Sequence, residues 1–132
     1  MKKNKTYETG RVYVGTDISK KKNMDSKVGY TSYSLKEREN KIRRDNKHPR
    51  PNYRMIGCLV LHDVTEAQLK HIESEVHVRM EKYAVRHGND YFTYRANTTA
   101  EIATKAFAVI ALGYAIDCCN REGYSFTIEW VR

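Results

Sequence analysis

Residues 12–32 read VYVGTDISKKKNMDSKVGYTS. The two ends of this stretch are built alike. Val12-Tyr13-Val14-Gly15-Thr16 and Lys27-Val28-Gly29-Tyr30-Thr31 are rich in β-branched and aromatic residues, and each holds one glycine. Both read as strands, the first from Arg11 to Thr16 and the second from Lys27 to Thr31. The polar run DISKKKNMDS between them reads as a loop. Strands joined this way pair most simply as antiparallel neighbours.

Beyond the pair, Ser34 and Glu37 form an S-x-x-E capping pattern that starts a helix ending near Arg44. Pro49 and Pro51 break the chain. Tyr53 to His62, YRMIGCLVLH, is the strongest strand signal, and its central apolar run predicts burial on both faces. Thr65 caps a long helix reaching Tyr83 or Arg86, with an apolar stripe of Leu69, Ile72, Val76, Met80 and Tyr83. His87 to Asp90 ends it. Tyr91 to Tyr94 is a short strand. A second long helix runs from Thr98 or Thr99 to Cys118, with a stripe of Ala103, Ala106, Phe107, Ile110 and Tyr114 that Ala108, Val109 and Ala111 widen, a breadth that predicts deep burial in this domain or a partner. SFTIEWV, residues 125–131, is a last strand. The fold class is α+β, a small antiparallel sheet flanked by helices.

The chain of 132 residues is long enough for one domain with a core, and carries a net charge of +8. Residues 1–54 hold 16 Lys and Arg against 6 Asp and Glu, and residues 55–132 hold 8 against 10. The basic half therefore contains the strand pair, and nucleic acid is the first partner to expect. Three cysteines, two of them adjacent, make neither a disulfide framework nor a zinc-ligand spacing. The basic N-terminus has no apolar run behind it, as a signal peptide would. Ala106 to Ile116 is too short to span a bilayer. A cytoplasmic protein that does not contact membrane is expected.

Helix geometry marks two charges. Arg38 lies three residues after Leu35 and four before Ile42, on the face those two bury. Glu73 lies four after Leu69 and three before Val76, at the edge of the core-facing side. Such charges require a partner: each other, a metal, a phosphate, or water reached along the stem. His77, four residues past Glu73, shares its face. These placements fit a site and also fit a structural ion pair. Arg43, Arg44, Lys47, His48, Arg50 and Arg54 form a basic run beside Tyr53, suited either to tracking a phosphate backbone or to plain solvation. Lys20, Lys21 and Lys22 extend it.

Taken in order, these residues resemble the GIY-YIG endonuclease superfamily over about residues 10–94. Arg11-Val12-Tyr13 stands where GIY would be. Lys27-Val28-Gly29 stands where YIG would be, with the lysine typical of its phage and viral branch. Leu35-Lys36-Glu37-Arg38 resembles the helix with its arginine, and Ile72-Glu73-Ser74-Glu75-Val76-His77 the metal-binding glutamate and a following histidine. Gly88-Asn89-Asp90-Tyr91-Phe92 resembles a G-x-E-W-F segment. Arg11 replaces a glycine, the segment between the motifs is long, and Arg38 sits one residue late.

The resemblance implies a metal-dependent endonuclease acting on double-stranded DNA. Glu73 would hold Mg²⁺ or Mn²⁺. Arg38 would neutralise phosphate charge. Tyr13 or Lys27 would activate water, and His77 and Tyr30 would contact phosphate. The implied domain covers residues 10–94, preceded by a flexible 1–9 and followed by a helix–strand extension, 95–132, packed on the same domain. That extension could hold a homodimer or protein-partner contact. A non-catalytic nucleic-acid-binding module, or a protein-interaction module, is the alternative.

Overall fold

A computed structural model describes residues 5–18, 23–88, 90–95 and 97–131, with the backbone alone at residue 23. Lys20, Lys21, Lys22 and Asn89 lie outside the described residues, as do residues 1–4 of the N-terminal segment. The elements run β1 (Thr6–Asp17), β2 (Asn23–Thr31), α1 (Leu35–Arg43), β3 (Tyr53–Thr65), α2 (Glu66–Met80), β4 (Val85–His87), β5 (Tyr91–Arg95), α3 (Ala100–Glu122) and β6 (Thr127–Trp130). The six strands form one sheet in the order β4-β5-β2-β1-β3-β6, each pairing antiparallel. The expected α+β class and antiparallel sheet are what the structure contains.

β1 and β2 are longer than their apolar centres. Tyr13 faces Gly29 and Gly15 faces Lys27 across the first pair. On its other side β1 runs along β3, with Tyr13 opposite Cys58. A bulge after Val14 shifts that register by one residue at Ile56. The alternation of β3 is thereby reversed, so Tyr53 and Met55 share a face with Cys58 and Val60.

Two cores result. On one face α2 and α3 cover Val12, Val14, Val28, Leu59, Leu61 and Phe92. On the other, α1 sets Leu35 and Ile42 against Tyr13, Tyr53, Met55, Cys58 and Val60. Burial of the centre of β3 on both sides follows from its place between β1 and β6 with a helix over each face. All three cysteines are buried and unpaired.

Each helix has a side-chain cap. Ser34 accepts from the Glu37 backbone, Thr65 and Gln68 form a reciprocal capping box, and Thr99 accepts from Ile102. α2 stops at Met80, earlier than its apolar pattern suggests. Tyr83 lies beyond it, exposed, and Val85–His87 is the edge strand β4. Hydrogen bonding to β5 outcompetes another helical turn there.

α3 is longer than expected and ends at Gly123, which adopts φ 76° as its left-handed cap. Its buried stripe is Thr104, Phe107, Ala108, Ala111, Leu112, Ala115, Cys118 and Cys119. Of the expected stripe and its widening, Phe107, Ala108 and Ala111 are buried, whereas Ala106, Val109 and Ile110 are exposed. Small side chains explain the choice, because Ala108, Ala111 and Ala115 let α3 approach closely while Ile102, Val109 and Ile110 face outward. By length and composition alone α3 would also suffice to cross a membrane; here one face of it packs in the core.

Candidate functional site

β5 pairs only with Asn23 to Lys27 of β2. From Val28 onward the edge of β2 has no strand beside it among the described residues, and its peptide groups need other partners. The Val28 amide donates to the Asp90 carbonyl at 3.1 Å. The Val28 carbonyl accepts from His77 Nε2 at 2.7 Å. The Tyr30 amide donates to the Glu73 carboxylate. α2 and the residue before β5 thus complete the edge with side chains, and that requirement draws Glu73 and His77 to the rim of the sheet.

Across this rim, on the α1 face, stand Lys27, Gly29 and Tyr13. Arg38 reaches down from α1, and its Nε donates to the Tyr13 hydroxyl at 3.2 Å. Lys27 Nζ lies 3.8 Å from an Asp90 carboxylate oxygen. Carboxylate oxygens of Glu73 and Asp90 and a ring nitrogen of His77 all lie within 4.8 Å of one another. Residues from β1, β2, α1, α2 and the β4–β5 turn therefore converge on one opening. The ion pair between Arg38 and Glu73 that the sequence left open does not form among the described residues, because the two helices lie over opposite faces of the sheet.

The electrostatics are those of a crowded, half-dry site. Burial first and then nearby Asp90 push the Glu73 carboxyl up to about 7, against the opposing pull of Lys27. Burial lowers the Lys27 ammonium, and Arg38 adds to that, against Asp90 and Glu73. Burial holds the Tyr13 phenol well above its ordinary value despite Arg38. Of the two expected water-activating groups, Lys27 is the one shifted toward neutral pH. Tyr13, fully buried, is placed to orient Arg38 instead.

His77 has both ring nitrogens occupied. Nε2–H donates to Val28 and Nδ1 accepts from Arg86 Nη2 at 3.3 Å. Burial lowers its pKa, so the ring is neutral and acts as a brace between α2 and β2. The hard oxygen donors remaining are Glu73 and Asp90. Two carboxylates side by side, one held partly protonated by its surroundings, suit a Mg²⁺ or Mn²⁺ ion completed by water.

Gly29 is required by contact. A Cβ there would lie 2.5 Å from the Tyr13 hydroxyl and 2.6 Å from Cζ. Gly29→Ala is expected to cost about 1–3 kcal/mol through overpacking. It should also displace Tyr13 from Arg38, measurable as a lower urea midpoint with an altered tyrosine spectrum.

The other expected contact residues divide. The Tyr30 side chain lies on the α2 face near Glu66 and Lys70, so only its backbone serves the site. Arg43 donates to the Tyr53 carbonyl at 2.6 Å and pairs with Glu39. Arg50 bonds Asp17 at 3.0 Å and Asp25 at 3.1 Å and stacks on Tyr91. Both arginines hold the fold together. Arg44, Lys47 and His48 are exposed in the α1–β3 connection. Arg54 is exposed on the opposite face, toward the start of α3. The basic run is thus not one surface. Asp90 and Arg86 belong to the site and were missed. A turn aspartate immediately before a strand was the signal for Asp90.

The fold and rim define an α+β domain with charged side chains gathered at one sheet edge. The chain belongs to the T5orf172 domain family, a nuclease-like, DNA-binding family compatible with a nucleic-acid-related function, whose model matches residues 10–111, from β1 into α3. This corrects the family expected from the motifs, since the matching model is not that of the GIY-YIG superfamily. Motifs of three residues, degenerate in both copies, were too short to carry that assignment. No curated protein and no solved structure was found to match.

Proposed function

We propose that the protein is a metal-dependent DNA endonuclease with its centre at the β2 rim. The observation that carries this reading is the convergence of Glu73 and Asp90 with Lys27 and the Arg38–Tyr13 pair. Glu73 and Asp90 would hold Mg²⁺ or Mn²⁺, which when bound supplies Lewis-acid stabilisation of the phosphate and of a deprotonated water. Arg38, fixed by Tyr13, presents its guanidinium to the phosphate charge that grows in the transition state. Lys27, when neutral, accepts the proton of the attacking water at Nζ. Gly29 leaves the space that Tyr13 needs. His77 keeps α2 and β2 in register and touches no reacting atom.

The test is cleavage of supercoiled plasmid at low salt with Mg²⁺ or Mn²⁺. Nicked or linear product is expected, abolished by EDTA and strongly reduced in Lys27→Met. Absence of cutting with the DNA still retained would favour a binding module. Exposed Arg44 and Lys47 are the cations best placed to track the duplex. Replacing both with alanine should lower the salt dependence of DNA retention by about 1.8 in log–log slope. Arg54→Ala, on the far face, should leave that slope unchanged.

A further inference from the structure

On the far side of α2, a second set of metal-ligating side chains faces α3. His71 and Glu75 are one helical turn apart on α2, and Cys118 and Glu122 are one turn apart on α3. Donor atoms of His71, Glu75 and Cys118 lie within 4.8 Å of one another. His71 Nε2 is 3.5 Å from a Glu122 oxygen. Two i,i+4 pairs on packed helices thus bring three ligand atoms to one point, with Glu122 next to His71, which sequence spacing alone does not reveal because no helix carries more than two of them. We propose that His71, Glu75, Cys118 and Glu122 form a binding site for Zn²⁺ or a similar divalent transition metal.

The chemistry selects the ion. A thiolate and an imidazole with carboxylates are a borderline-soft set, unlike the all-oxygen pair of Glu73 and Asp90. Around a tetrahedral zinc, with bonds of about 2.0–2.3 Å, ligand atoms sit roughly 3.3–3.8 Å apart. The separations among His71, Glu75 and Cys118 need only small side-chain rotations, and Glu122, exposed beside His71, would swing in as the fourth ligand. Arg121 pairs with Glu75, but its Nε also bonds Asp117 at 3.1 Å. It can therefore release Glu75 and keep a carboxylate. On binding, the Cys118 S–H bond breaks heterolytically, its proton passes to solvent, and the sulfur pair forms the metal bond. The ion would clamp α3 to α2, the helix that carries Glu73.

The full chain, reduced and freed of metal, is titrated with Co²⁺ as the probe. A sulfur-to-cobalt charge-transfer band with tetrahedral visible bands is expected, displaced by one equivalent of Zn²⁺. Cys118→Ser should abolish the charge-transfer band. His71→Ala, at an exposed position, should weaken affinity by about tenfold or more, since loss of supporting partners alone costs about 10–100-fold. Glu73→Gln and Cys58→Ser should leave the band unchanged. No band in the native protein, or one that survives Cys118→Ser and His71→Ala, would overturn the site. Because Glu73→Gln spares the band, failure here is separable from failure of the nuclease reading.

Discussion

Glu73→Gln is expected to abolish divalent-metal-dependent cleavage and, in the same protein, to raise the melting temperature at pH 8. The two effects have one cause. Glu73 is half-buried beside Asp90, and its carboxyl is pushed up to about 7. An unfolded glutamate titrates near about 4.3. Between those values the folded chain binds the extra proton, so stability falls as pH rises through that window. At pH 8 the carboxylate is ionised in both states, and folding carries the full cost of its confinement. Glutamine removes that cost and preserves the shape. The native protein should therefore match the variant only below about pH 4, where both states are protonated, and melt several degrees below it at pH 8. Mg²⁺ should narrow the gap by binding the native protein alone. Cleavage should drop by about 10²–10³-fold or more, the scale of losing one preorganised charge-stabilising group. Thermal melts at pH 4 and pH 8, with and without Mg²⁺, check this beside the plasmid assay. A variant that melts lower than the native protein at pH 8 would make Glu73 a structural partner rather than a constrained ligand.

Every strand but β4, the caps and the order of the remaining elements could be read from the sequence because each rests on local chemistry. Ser34, Thr65 and Thr99 mark helix starts by what a hydroxyl does to the next turn, and β3 stands out by its unbroken apolar run. Arg38 and Glu73 were legible as charges at core-facing positions. Their partners were not, because partners come from topology. Only the early end of β5 leaves the β2 edge open, and that opening is what pulls Glu73 to Tyr30, His77 to Val28 and Asp90 to Lys27. The basic run misled for a similar reason. Arg43, Arg50 and Arg54 look alike in sequence, yet one caps a carbonyl, one binds two buried aspartates and one faces the other way. The stripe of α3 shifted because a helix packs by the smallness of its contact face as well as by its apolarity.

Asp25→Ala should cost the largest share of stability of any single change outside the apolar core, about 3–5 kcal/mol, the scale of breaking a buried charged pair. Asp25 is 4% exposed. Its carboxylate accepts from Thr93 at 2.6 Å, from His87 at 2.8 Å and from Arg50 at 3.1 Å. Burial alone would raise its pKa, but the bonds from Thr93, His87 and Arg50 outweigh it and hold the group below its usual value. A depressed carboxyl contributes stability above the unfolded pKa of about 3.9 and loses it as pH falls through the folded value. The deficit of the variant should therefore be full at pH 7 and shrink in acid. Asp25→Asn keeps the shape without the charge and should lie between the two. Urea unfolding at pH 7 and below pH 4 measures all three, and a deficit under about 1 kcal/mol at pH 7 would refute the assignment. The consequence reaches the rim. Arg50, held by Asp25 and Asp17, stacks on Tyr91 at 3.8 Å, and Lys27 lies over the same ring at 5.4 Å. Asp25 is two residues from Lys27 on the same face of β2, and Tyr91 follows Asp90 directly. The aspartate thus fixes the strand that presents Lys27, the strand that presents Asp90 and the connection after α1. A variant that remains folded should still show a rise in KM and a fall in kcat together, because both groups at the rim would lose their positions at once.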